Sequence, residues 1–188
     1  MLGGVRPRFL LRLDDPELLN LCLRVRQRPC PHCQSTGGVI RHGYAKGYQA
    51  DSHRREIRRL RFFCSNRRNR PGCGGTFSLL WSDLIAGSSI AAAALLDLIS
   101  GVADRRPLHR VWHDGDFPFS ITTAYRWLRR WHRGQPHLRT RLARDHPPPR
   151  GDDLSSASRT LHHLHLAFPR ASCPVAAFQH AHQVDFLP

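Results

Sequence analysis

Glutamate and lysine are almost missing from this chain, which has Glu17 and Glu56 of the one and Lys46 alone of the other. With so few glutamates, and with its aspartates scattered, the sequence is poorly supplied with ligands for a magnesium-dependent active site. It also lacks a glycine-rich phosphate loop, a Ser-His-Asp set and a pair of neighbouring carboxylates, so no catalytic residue is assigned and no enzyme is expected. Long apolar runs are missing too. The most apolar stretch, residues 84–99, is alanine-rich and contains Ser88, Ser89 and Asp97, which makes it too short and too polar to span a bilayer. At the N-terminus Arg6, Arg8 and Arg12 interrupt the apolar residues, so no secretory signal is expected. There is no internal repeat. These absences predict a soluble, cytoplasmic protein without a membrane partner, whose six cysteines are not a disulfide framework.

What is abundant is arginine. The formal net charge is +15, and all but one of the 29 basic residues are arginines. Such a balance favours a polyanionic partner, and arginine's planar fork suits phosphates and guanine edges. The charge is not spread evenly. Residues 28–82 carry +9, whereas residues 1–27, 83–136 and 137–188 carry +2 each. A nucleoid-associated protein is the expectation, with its positive field centred on one module.

That module contains four of the six cysteines. Cys30-Pro31-His32-Cys33 opens it, and Cys64 and Cys73, separated by eight residues, close it. Cysteines two residues apart with a second pair further along are how a chain builds a tetrahedral thiolate site, each pair approaching from its own turn. The eight-residue insertion of the second pair, residues 65–72, is polar, basic and turn-forming, as a surface loop would be. Zinc is the expected ion, held by Cys30, Cys33, Cys64 and Cys73, with His32 and His42 as substitute ligands. The alternative is four unrelated buried or oxidised cysteines. Cys22, inside a leucine run, reads as a packed hydrophobe. His162, His163, His165, His180 and His182 with Cys173 match no strong ligand spacing and read as surface or packing residues.

Taken in order, residues 1–27 form a helical lead-in, with Asp15 as cap and Pro16 at the first helical position. Residues 28–82 form a three-stranded zinc ribbon, with strands over 39–44, 57–63 and 76–81. In the second, Arg59 and Arg61 share a face by period two. Residues 83–136 form a helical domain resembling a helix-turn-helix: Ser88 or Ser89 caps a helix over 90–99 that Gly101 ends, a second covers 104–113, and Ser120 caps a third over 121–133. A proline-rich linker, 137–153, leads to a short helical tail, 154–188, through which the chain could self-associate. The fold class is therefore α+β.

Candidate nucleic-acid contacts follow from this map. Arg58, Arg59 and Arg61 on the strand and Arg67, Arg68 and Arg70 in the loop would hold phosphates. Thr122, Thr123 and Arg126 lie at a helix start, where base edges are read, with Arg129, Arg130 and Arg133 touching phosphate behind them. Trp127 and Trp131 read as core.

The series Cys30-Pro31-His32-Cys33, Arg41-His42-Gly43, Arg61-Phe62-Phe63-Cys64 and Cys73-Gly74-Gly75-Thr76-Phe77-Ser78 resembles the N-terminal zinc ribbon of insertion-sequence transposases. Thr122-Thr123-Ala124-Tyr125-Arg126-Trp127-Leu128 is similar to the start of the recognition helix that follows it in that family. The resemblance covers residues 28–133. It implies four zinc-ligand cysteines and binding to element-end double-stranded DNA. The family's ribonuclease-H-like catalytic domain has no counterpart in 137–188. The expectation is thus a DNA-binding accessory factor or repressor of a mobile element, working beside a separate transposase. The alternatives are a catalytic or partner subunit of a transposase or nuclease, and a zinc-ribbon RNA-binding protein.

Overall fold

Alternation between water and core builds the sheet. A computed structural model of the chain describes residues 8–11, 18–48, 55–67, 69–117, 119–149 and 154–187. In strand β3 (Arg55–Cys64) Leu60 and Phe62 are buried while Arg59 and Arg61 are exposed, and in β4 (Thr76–Trp81) Phe77, Leu79 and Trp81 are buried in turn. The two run antiparallel in a register that sets Leu60 opposite Leu79 and Phe62 opposite Phe77, whose rings stack 5.5 Å apart. Strand β2 (Val39–Tyr48) lies on the far side of β3 and is one edge of the sheet. The antiparallel strands are therefore where the sequence puts them, with β2 and β3 longer than their apolar runs.

A fourth strand was not expected. β1 (Arg8–Leu11) pairs in parallel with β4, Arg8 opposite Ser78 and Leu11 opposite Trp81, so the order across the sheet is β1-β4-β3-β2. The lead-in is thus a strand and a helix, α1 (Leu18–Gln27), instead of a helix alone. The predicted cap Asp15 and Pro16 lie outside the described residues. Cys22 and Val25, one turn apart on α1, are buried while Leu23 is 46% exposed, as expected of a one-faced helix. These strands and α1 belong to one compact unit, drawn from residues 1–47 and 55–81.

The second unit is drawn from residues 48–54 and 82–188, and its described part from residue 82 onward is helical. It contains α2 (Ala92–Ala103), α3 (Leu108–Asp114), α4 (Ile121–Asp145), α5 (Ser156–Ala167) and α6 (Pro174–His182). Ser120 caps α4 as predicted, its hydroxyl accepting from the Thr122 amide at 3.4 Å. The start of α2 differs from expectation: Ser88 accepts from the Ile90 amide in the turn before the helix, and Ala91 is the cap. Nor does Gly101 end α2. It is buried inside the helix, where a Cβ would meet both methyls of Val111 at 2.9 Å, so its lack of a side chain lets α3 approach.

Two larger corrections concern the C-terminal third. The proposed linker over 137–153 is helical as far as Asp145, because α4 continues through Pro136. Proline removes one helical hydrogen bond, but Pro136 is exposed, so the gap opens toward water while the inward stripe continues. That stripe is Trp131, Gln135, Leu138 and Leu142, all buried. Residues 154–188 are also no separate tail. Leu161, Leu164, Phe178 and Phe186 belong to the same core as Trp127, Trp131 and Leu95. Phe186 stacks on Trp131 at 5.4 Å, and the buried Gln179 amide donates to the carbonyls of Ser82 and Leu84 while its oxygen accepts from the Phe186 amide. The apolar faces offered for self-association are thus largely occupied within the chain, although Leu166 stays 52% exposed. Among the described residues no helix is long and apolar enough to cross a membrane.

Candidate metal centre and nucleic-acid interface

Two turns and a strand end converge at one end of the sheet. Cys30 and Cys33 stand on the turn before β2, Cys64 is the last residue of β3, and Cys73 precedes β4. Their sulfurs all lie within 4.8 Å of one another, with Cys30 to Cys73 at 3.9 Å and Cys33 to Cys64 at 3.8 Å. Four sulfurs bound at about 2.3 Å to a central ion in a tetrahedron lie about 3.8 Å apart. The donor set therefore fits a four-thiolate metal site, and all four cysteines are free of disulfides.

The irregular second pair has a simple local explanation. In the first knuckle the Cys30 amide donates to the Ser35 carbonyl at 2.9 Å and the Gln34 amide to the Cys30 carbonyl at 2.8 Å. In the second, the Cys64 amide donates to the Gly75 carbonyl and the Gly74 amide to the Cys64 carbonyl, both at 2.9 Å. Gln34 (φ 59°) and Gly74 (φ 71°), the residues after Cys33 and Cys73, are both left-handed. The insertion closes at its base, where the Gly72 amide donates to the Ser65 carbonyl at 3.0 Å, and a Cβ on Gly72 would lie 2.2 Å from that same oxygen. Cys64-Ser65 and Gly72-Cys73 thus act as a pair two residues apart, with residues 66–71 looped out. The sequence shows the insertion but not this closure, because the pairing of Ser65 with Gly72 is a backbone event.

Excising residues 66–71, so that Ser65 joins Gly72, should accordingly leave the metal stoichiometry unchanged. Elemental analysis and a cobalt(II) absorption spectrum check this, and a chain that no longer takes up metal would show that the loop is part of the site.

The thiols differ in acidity. The Ser35 hydroxyl and amide beside Cys33 draw its thiol down to about 6, while burial pushes Cys64 up to about 12. His32 and His42 do not substitute as ligands. The His32 ring nitrogen Nε2 lies 3.1 Å from the Thr76 carbonyl, and the His42 ring packs 5.9 Å from Phe63. Of the C-terminal histidines, His163 is buried with Nε2 3.0 Å from the His146 carbonyl, His182 packs on Phe178 at 4.7 Å, and His162, His165 and His180 are exposed. Burial holds His182 below the usual imidazole range, and Cys173 is half-buried with its thiol pushed up by burial.

The candidate nucleic-acid residues are sorted by the fold. Arg59 and Arg61 are exposed, whereas Arg58 lies half-buried on the opposite face beside Gly47. Arg67 and Arg70 are exposed on the looped-out segment, and Arg68 lies outside the described residues. On α4, Thr122, Arg126, Arg129 and Arg133 are exposed along one side, and Thr123 is half-buried with its hydroxyl accepting from Arg126 at 3.1 Å. Arg130 departs from this set: its guanidinium donates to the Leu187 carbonyl, tying α4 to the C-terminus. Tyr125, 58% exposed on the arginine side of α4, escaped notice in the sequence although its spacing of three from Thr122 and four from Arg129 marks the face. The break between α3 and α4 is a packed turn, in which Trp112 stacks on Phe117 at 4.4 Å and donates from its indole to the Phe119 carbonyl.

No protein-family model, no curated protein and no solved structure matches this chain.

Proposed function

We propose that the chain is a zinc-dependent DNA-binding protein of the transposase type, acting on element-end or operator DNA as an accessory factor or repressor. The cysteine cluster supports zinc: four thiolates at tetrahedral spacing, without a carboxylate or an open position for water, make a closed structural site. A bound zinc would tie together the ends of β3 and the turns before β2 and β4, and would supply folding energy rather than chemistry.

The observation that carries the DNA reading is the outer stripe of α4. It begins at a capped helix N-terminus, presents Thr122 and Arg126 within the first two turns, and continues through Arg129 and Arg133. Residues 121–144 contain no carboxylate at all. A helix of this kind matches the width of the major groove, with the first turns at base edges and later arginines on phosphate. The aromatic turn of Trp112, Phe117 and Trp127 behind it keeps that N-terminus in place. The looped-out Arg67 and Arg70 serve as sequence-independent phosphate contacts.

The test is a salt-titrated binding isotherm on a duplex site selected from a random pool and on unselected duplex. Arg126→Ala should lower the preference for the selected site by about 1–3 kcal/mol while sparing binding to random duplex. An equal loss on both duplexes would remove α4 from base reading.

A further inference from the structure

The outward face of β2 and β3 is a second surface of interest, and it is aromatic as well as basic. Three contacts fix which side chains share it. The His42 ring lies 5.9 Å from Phe63, and Lys46 Nζ stands 5.7 Å from the centre of the Tyr44 ring. A Cβ on Gly47 would strike the stem of Arg58 at 2.5 Å, so Gly47 and Arg58 are on the other side. His42, Tyr44 and Lys46 on β2 therefore share a face with Arg59, Arg61 and Phe63 on β3, opposite the face on which Leu60 and Phe62 are buried. Tyr44 is 53% exposed, and His42, Lys46, Arg59 and Arg61 are exposed as well. Neither β2 nor residues 57–81 contain a carboxylate. Among the described residues β2 is moreover the edge strand of the sheet.

We propose that this face binds single-stranded nucleic acid, with Tyr44, His42 and Phe63 as stacking surfaces and Arg59, Arg61 and Lys46 on the backbone. The charge selects a polyanion, and the rings select its form. A duplex hides the faces of its bases, whereas a single strand can lay them on aromatic side chains. Alternate residues on a strand stand about 6.7 Å apart, which places Tyr44 and His42 as successive platforms beside a row of cations. A lone exposed tyrosine would need no explanation, but a ring row flanked by three cations, with no carboxylate on the strands' described face, has the composition of a strand-binding surface. The inference does not rest on α4 engaging a duplex.

The experiment is fluorescence anisotropy with the full-length, zinc-loaded chain and labelled oligo(dT), oligo(rU) and random duplex. Tyr44→Ala should weaken single-strand binding about tenfold with no change in salt dependence, since a stack releases no counterions, and should leave duplex binding unaltered. Phe63→Leu should do the same, and Tyr44→Phe should retain affinity. Arg61→Ala should weaken binding and flatten the plot of log affinity against log salt by about 0.7. Loss on oligo(rU) alone identifies RNA as the ligand, loss on oligo(dT) alone identifies DNA, and loss on both assigns the shared stacking chemistry. Arg126→Ala should leave the single-strand isotherms where they were, so failure of the α4 reading and failure of this one are told apart. The proposal is overturned if the parent chain binds neither oligomer, if Tyr44→Ala binds both as tightly as the parent, or if single-strand and duplex binding fall in parallel.

Discussion

Changing Cys30 and Cys33 together to serine should abolish metal binding and unfold the first unit. The reason is one of scale. Among the described residues its buried apolar side chains are chiefly Cys22, Val25, Val39, Leu60, Phe62, Phe77, Leu79 and Trp81. A closed four-thiolate zinc site contributes on the order of 10 kcal/mol of folding free energy in modules of this size. The parent chain should therefore carry about one zinc, and strong chelators should remove it together with the sheet signal. Binding should tighten as pH rises, because the ion requires thiolates: Cys33, drawn down to about 6, is already ionised at neutrality, whereas Cys64, pushed up to about 12, must give up its proton. Elemental analysis and circular dichroism before and after chelation are the measurements. Zinc retained by the double variant, or an unchanged sheet signal after the metal is stripped, would sink the assignment.

Trp131→Ala should cost the second unit about 3–5 kcal/mol, the range for removing a large aromatic side chain from a packed core. Trp131 is 1% exposed and lies where α4 meets the C-terminus, stacked on Phe186 at 5.4 Å. Truncation to alanine would leave a cavity lined by residues from elements far apart in the chain. Urea unfolding followed by helical circular dichroism measures the effect, and the zinc content should stay unchanged because the cysteines belong to the other unit. A loss below about 1 kcal/mol would mean that 154–188 is the detached tail the sequence alone suggests. Arg130→Ala offers a companion measurement, since its bond to the Leu187 carbonyl closes the same junction.

Some of this architecture is legible in the sequence alone. The Cys-Pro-His-Cys pair, the alternation of Arg59, Leu60, Arg61 and Phe62, and the serine ahead of α4 are local signals. Spacing along a few residues determines where a thiolate points, which side of a strand is wet and where a helix can begin. The composition likewise determined the excess of positive charge and where along the chain it lies.

Other features were decided by tertiary and backbone contacts that local side-chain patterns do not reveal. β1 pairs Arg8 with Ser78, and nothing in either segment names its partner, since a parallel pairing leaves no turn signature. The second knuckle looks irregular until the Ser65 carbonyl meets the Gly72 amide, a backbone bond to which side-chain patterns are blind. Pro136 reads as a break because its cost is local, whereas the burial of Leu138 and Leu142 that carries α4 past it depends on α5 lying alongside. Arg130 looks like a phosphate contact from its charge, and only the return of Leu187 to α4 makes it an internal tie. Hydrophobic burial and backbone hydrogen bonding are satisfied wherever the chain brings suitable groups together, whether seven residues apart, as in the second knuckle, or tens of residues apart, as for β1, α4 and Arg130.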